Sequence, residues 1–109
     1  MQIKDLINEF DFHDSNVIEL IHEKNNIKMK IDLCMWKQKG YKESDNELKE
    51  IFLEFNSVEN YIWDGEKKET DIDYDTILEM SYNNGVIKFI LFDDAISVLS
   101  FKCSMVKIF

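Results

Sequence analysis

The densest grouping of reactive side chains is Phe12-His13-Asp14-Ser15, where an imidazole, a carboxylate and a hydroxyl follow one another. Acyl-transfer triads use these three groups but gather them from distant positions, so that each faces the next. Consecutive side chains on an extended backbone point to opposite sides. The run is therefore expected to be a structural turn, with Asp14 or Ser15 accepting bonds from nearby backbone N–H groups and His13 fixing the start of a strand. A second grouping, Asp71-Ile72-Asp73-Tyr74-Asp75, matches the first half of a calcium loop. That loop needs Gly at its sixth position and a bidentate Glu at its twelfth, and Thr76 and Tyr82 stand there instead. Read as a strand, the segment sets Asp71, Asp73 and Asp75 on one face, an acidic ridge following Asp64, Glu66 and Glu69. Such a ridge is either a solvated edge that discourages unwanted pairing or part of a surface for a basic protein, with Trp63 and Asp64 beside it.

Other candidates are weaker. Two His and two Cys at unrelated spacings form no zinc motif. Three glycines leave no phosphate cradle and no dinucleotide fingerprint. No catalytic residue, metal or cofactor is expected. His22, among acids, reads as exposed. Trp36 and Trp63 border polar loops and read as packing at the edge of the core, with an interface anchor as the alternative.

Composition narrows the classes further. The 109 residues carry a net charge of −9, contain no arginine, and draw every basic side chain from lysine. A duplex-binding protein needs a basic stripe that releases counterions, and arginine is the fork that grips phosphates and guanine edges. Nucleic acid and anionic membrane are therefore unexpected partners, whereas a basic protein suits the charge. No run approaches the ~20 apolar residues of a membrane helix. The opening MQIKDLINEF has acids and no apolar core of a secretory leader. The expectation is a cytoplasmic protein with Cys34 and Cys103 reduced. Cys34 falls on the less apolar face of its segment, so partial exposure is expected.

Periodicity supplies the elements. Ile3, Leu6, Ile7 and Phe10 have the spacing of one helical face. Ile27, Met29, Ile31, Leu33 and Met35 alternate with Lys28, Lys30, Asp32 and Cys34, the strongest strand signal in the chain. Residues 17–23 precede it as a hairpin partner across Lys24-Asn25-Asn26. Ile51, Leu53 and Phe55 repeat the pattern, and residues 57–63 fit either a strand or a helical turn. Residues 73–82 and 86–92 flank Asn83-Asn84-Gly85 as a second hairpin. Residues 95–109 read as one long strand with Leu99, Phe101, Cys103 and Met105 on its apolar face. The expected fold is mainly β: a single domain over 1–109, an antiparallel β-sandwich or curved barrel-like sheet of six to eight strands with a short N-terminal helix.

The segments Phe12-His13-Asp14-Ser15-Asn16-Val17-Ile18-Glu19-Leu20 and Leu53-Glu54-Phe55-Asn56-Ser57-Val58, together with the hairpin between them, resemble a group of small, mostly uncharacterised bacterial all-β proteins. Some of these are similar to immunity proteins of toxin systems. The resemblance implies a non-enzymatic protein that neutralises a toxin by binding it, and it transfers no functional residue. The leading expectation is a binding protein for a basic partner. A small-ligand-binding or catalytic β-barrel and a structural homo-oligomer are the alternatives.

Overall fold

A period of two puts Ile27, Met29, Ile31 and Leu33 on one side of the chain, and burying that side fixes the register of every strand paired to it. The computed structural model describes residues 1–109, and all four side chains are buried in it. They lie on β2 (Asn26–Cys34), between β1 (Asn16–Glu23) and β3 (Leu48–Phe55). Lys24 turns the β1–β2 hairpin at φ 51°. The second hairpin joins β5 (Asp75–Asn83) to β6 (Val86–Asp93), with Asn84 at φ 53° and Gly85 at φ 80°. Two successive left-handed residues match the type I′ turn that the Asn-Gly pair favours. β4 (Glu59–Asp64), β7 (Ala95–Lys102) and β8 (Val106–Ile108) complete the strands. The helix, α1 (Ile3–Glu9), buries Ile3 and Leu6.

All eight strands form one open antiparallel sheet in the order β4-β7-β6-β5-β1-β2-β3-β8. That order forces the sheet to bend. β3 and β4 are six places apart yet joined through residues 56–58 alone, and β7 and β8 are six places apart yet joined through residues 103–105. Four Cα–Cα steps reach at most ~15 Å, while six strand spacings of a flat sheet cover ~29 Å. The bend falls at β1 and β5, which share only the pairs Asn16↔Thr76 and Val17↔Asp75. The half β4-β7-β6-β5 thereby faces the half β1-β2-β3-β8. Phe55 on β3 meets Phe101 and Phe89 across the gap edge-on, at ring centroid distances of 5.0 and 6.4 Å, the offset geometry aromatic pairs prefer.

The residues that read as a compressed triad make the corner of this bend. Asp14 sits at φ 69°. Ser15 is fully buried, and its hydroxyl oxygen accepts the Cys34 N–H at 2.8 Å. Its carbonyl accepts the Ile77 N–H at 2.8 Å, and Asn16 Nδ2 donates to the Tyr74 carbonyl at 2.9 Å. One short polar segment thus ties β1 to both β2 and β5.

Four expectations need correction. Residues 95–109 are two strands in opposite halves of the sheet, β7 between β4 and β6 and β8 at the far edge, because the chain leaves β7 at Cys103 to reach β3; Met105 is exposed as a result. Met35 leaves the β2 pattern in a 3-10 turn (Met35–Lys37) and is half-buried. Cys34 is buried, not partly exposed, because the Ser15 corner covers it. Trp36, carried outward by the same turn, is exposed with the Lys37 ammonium 5.0 Å from its ring centroid. Lys28 is exposed and Lys30 half-buried. The undecided segment 57–63 is mostly strand β4.

Ser15→Ala removes the only side-chain partner of the buried Cys34 N–H while sparing the apolar core. The expected loss of unfolding free energy is roughly 1–3 kcal/mol, read as a lowered urea midpoint at unchanged slope. His13→Ala, on the exposed side of the corner, is expected to leave the midpoint within about 0.5 kcal/mol of the parent.

Candidate functional site

Three of the four strands of the first half have an acidic residue at one end of the sheet, and the fourth, β7, starts there directly after Asp94. β4 finishes at Asp64, β5 begins at Asp75 after Asp71 and Asp73, and β6 turns into β7 through Asp93 and Asp94. Antiparallel pairing places these ends together: Asp64 opposes Val98, Thr76 opposes Phe92, and Asp93 opposes Ala95. The expected ridge does not form as drawn, however. Asp71 lies in a 3-10 turn (Glu69–Asp71), Asp73 is in a loop, and only Asp75 is in a strand, where it is fully buried. Asp64, Asp71 and Asp73 are exposed at this end of the sheet, and Asp75 lies beneath them.

Asp75 is buried because it faces Lys67. The Lys67 ammonium donates to Asp75 Oδ1 at 2.8 Å and lies 2.7 Å from Oδ2, an ionic contact. It also reaches Asp93 Oδ2 at 3.2 Å. Asp75 Oδ1 accepts the Asp73 N–H at 3.1 Å. Burial acts to lower the Lys67 pKa, but the bonds to Asp75 and Asp93 outweigh it and hold the pKa above the ordinary lysine value. The loop carrying Lys67 is pinned along its length. Trp63 Nε1 donates to the Lys67 carbonyl at 2.8 Å, and Ile72 is buried at its far end. Trp63 is half-buried against the core and is a fastener of this loop, not a free surface anchor.

The same loop presents Glu69 to a cluster that the residue spacing did not disclose. Tyr61 on β4 donates its hydroxyl to Glu69 Oε2, and His22 Nδ1 on β1 lies 3.5 Å from Glu69 Oε1. The His22 and Tyr61 rings meet at 4.1 Å, so His22 is half-buried, not exposed as expected. Burial, the bond to Glu69 and its negative charge together push the Tyr61 pKa up. The phenol is held as a hydrogen-bond donor to Glu69. None of the four main surface cavities is lined by His22, Tyr61 or Glu69. The other reactive grouping is similarly committed: Ser15 Oγ is used in the corner, and Asp14 Oδ2 is shared by His13 Nδ1 at 3.3 Å and Lys37 Nζ at 3.5 Å. No group of three or more His, Cys, Asp or Glu side chains is gathered as metal ligands would be.

The outer face of this half is where the arrangement departs from a plain solvated sheet. Outward positions of β6 and β7 pair Ile90 with Val98 and Phe92 with Ile96, and Ile62 of β4 lies opposite Ser100. Ile62 is 59 % exposed, Ile96 55 % and Phe92 46 %. Tyr74, held at φ 56° beside the β5 start, is 56 % exposed; a bulky residue rarely adopts that backbone. Acids Asp64, Asp73, Asp93 and Asp94 rim one end of the patch, and Lys88 and Lys102 mark the other. The outer face of the opposite half mixes cross-strand charge pairs, Lys28 with Glu54, Glu54 with Lys107 and Glu19 with Lys30, with exposed apolar residues of its own, among them Leu48, Phe52 and Phe109. Sequence reasoning missed Phe92, Ile96 and Ile62. The signal was the run Val86-Ile87-Lys88-Phe89-Ile90-Leu91-Phe92, which is apolar on both faces, as in a strand covered on both sides.

No protein-family model matches the chain, and no curated protein matches it. Among solved structures it is similar to the crystal structure of an uncharacterized protein from Neisseria gonorrhoeae, with 14% sequence identity and a TM-score of 0.48, over 90% of this chain and 92% of that one.

Removing one partner of a buried ion pair leaves an uncompensated charge. Lys67→Met is expected to lower stability at pH 7 by roughly 3–5 kcal/mol, whereas Lys67→Met with Asp75→Leu is expected to recover most of the loss. The sign of the pH dependence follows from the raised lysine pKa. The contribution of Lys67 is complete below the ordinary lysine range near ~10.4 and disappears as pH rises through the higher folded value. Chemical denaturation between pH 8 and 12 checks this: the parent should lose stability across the alkaline limb more steeply than the double variant.

Proposed function

We propose that this protein is a non-enzymatic binding domain for a basic protein, of the immunity type that its sequence resembles. The observation that carries the reading is the exposed apolar patch of Ile62, Phe92 and Ile96 on a sheet face with acids at one end. An apolar centre with a polar rim is the usual anatomy of a protein interface. Exposed contiguous apolar surface on a small domain marks an interaction site more often than chance. The chain's net charge of −9 and the rim formed by Asp64, Asp73, Asp93 and Asp94 favour a positively charged partner through steering. The polar groups with reactive chemistry support the same reading from the other side: Ser15 and Asp75, which spacing singled out, and Tyr61 and Glu69, which it did not, are all engaged in holding the fold. A cytoplasmic setting, where both thiols stay reduced, belongs to this proposal; Cys34 and Cys103 are both free and buried. No helix is long and apolar enough to cross a membrane.

The reading is tested by surface-immobilised binding kinetics against a neighbouring-gene product that carries a net positive charge. Phe92→Ala with Ile96→Ala should raise the dissociation rate about 30-fold or more, as loss of a central anchor does. Asp64→Asn with Asp94→Asn should instead slow association and flatten its salt dependence. Adding Asp71→Asn and Asp73→Asn should extend that second effect without unfolding the domain. Binding with unchanged rates in both sets of variants would falsify the assignment of this face.

A further inference from the structure

Beside the apolar face lies a groove of about 520 Å³ between α1, the corner before β1, the 3-10 turn after β2, and the middle of β5. Three local devices build it. At β5 the register with β6 slips between Ile77 and Glu79, a bulge that leaves both Leu78 and Glu79 exposed instead of turning one of them inward. Bulges re-aim side chains in this way beside binding sites. The opposite wall is fixed by Gln38, whose carbonyl oxygen accepts the Asp11 N–H at 3.0 Å while Nε2 donates to the carbonyls of Asp11 at 2.6 Å and Cys34 at 2.8 Å. One side chain thus imitates a strand partner and holds the corner to the turn. The floor is apolar, with Phe12 buried and Phe10 and Met80 half-buried.

The polar lining divides into committed and free groups. His13 and Lys37 both face Asp14, at 3.3 and 3.5 Å. Lys39 is exposed and forms no ion pair. Glu9, Asp11 and Glu79 are exposed and form no ion pair either, and Asp11 uses only Oδ1, which accepts the His13 N–H at 2.9 Å. Three carboxylates without an ion pair, Asp11 keeping one oxygen free, thus stand around an apolar floor against one lysine without an ion pair. An aliphatic stem ending in a cation fits both features: the stem covers apolar surface while the head stays with the carboxylates. Glu79 also pairs with Ile90 of the outer face, so the groove is continuous with the patch of Phe92 and Ile96.

We propose that this groove receives an arginine or lysine side chain of the basic partner, seated on Phe10, Phe12 and Met80 with its charge against Glu9, Asp11 and Glu79. The inference rests on the binding reading above for its occupant, but its test needs no partner. The full 109-residue chain is titrated with a terminally blocked Gly-Arg-Gly peptide, and with Gly-citrulline-Gly as the uncharged isostere, while backbone amide resonances are followed by NMR. Saturable shifts confined to residues around Phe10–His13, Gln38 and Leu78–Met80 are expected. Affinity should be about tenfold lower for the citrulline peptide, the charge-assisted bonds being absent. Glu9→Gln with Glu79→Gln, both exposed, should lower arginine-peptide affinity to a similar degree, and Ile96→Asp should leave it unchanged. Equal affinity for the two peptides, or shifts spread over Asp64, Asp73 and Asp94 as strongly as over the groove, overturns the proposal. A groove that binds arginine in a protein whose outer-face variants keep their partner kinetics would separate failure of the face from failure of the groove.

Discussion

Everything in this structure depends on how β1 passes between two halves of a sheet that touch there through only two residue pairs. A continuous ladder across β1 and β5 would hold the halves nearly coplanar, and the three-residue connections 56–58 and 103–105 could not then be made. The short seam lets the sheet fold over, and folding over is what buries Phe55 against Phe89 and Phe101. The backbone groups freed at the bend still need partners, since buried ones rarely go without. Ser15 and Asn16 supply them, to Cys34 on one side and Tyr74 on the other. Residues that look like reactive chemistry in the sequence are thus the joinery of the bend.

A bent sheet leaves its sides open, and the chain closes them with a helix and a loop. Ile3 and Leu6 enter the core from α1. The 65–72 loop is held by Trp63, by the Glu69 contacts to Tyr61 and His22, and by Lys67 reaching Asp75 and Asp93. Gly65 begins this loop where a Cβ would lie 2.5 Å from Ser97 Oγ, so only glycine allows β4 to turn that closely over β7. Burying Asp75 opposite an ammonium is not a cheap source of stability, because desolvation consumes much of the attraction. It fixes one arrangement of the loop, and that arrangement leaves Asp64, Asp71 and Asp73 outside.

The two outer faces differ in the setting of their exposed apolar residues. On β1, β2, β3 and β8 exposed Leu48 and Phe52 are interleaved with cross-strand pairs of opposite charge. Isoleucine and phenylalanine at outward positions of β4, β6 and β7 have as neighbours acids at one end and a bulge with a polar-rimmed groove along β5. That setting, together with the net charge, directs the binding proposal to one side of the molecule.

Local pattern was enough for the elements. The period of two in residues 27–33, the helical spacing of Ile3, Leu6, Ile7 and Phe10, and the Asn84-Gly85 turn are each properties of neighbouring residues, and the antiparallel, mainly β class follows from them. The sequence also marked His13, Asp14 and Ser15 as a structural turn, and the structure places Asp14 at φ 69° with the Ser15 hydroxyl bonded to the Cys34 N–H. Tertiary structure decided what lies far apart in the chain. Whether residues 95–109 continue or cross depends on the bend, which is a property of strand order. Whether Asp75 is a surface charge or a buried one depends on Lys67 eight residues earlier folding back over it. His22, Tyr61 and Glu69 carry no common spacing, and only the loop that closes the side of the sheet brings them together. The apolar outer patch lies between these cases: residues 86–92 show that both faces of β6 are apolar, but which face the core takes, and which is left for a partner, is settled only when the sheet folds over Phe89 and leaves Phe92 outside.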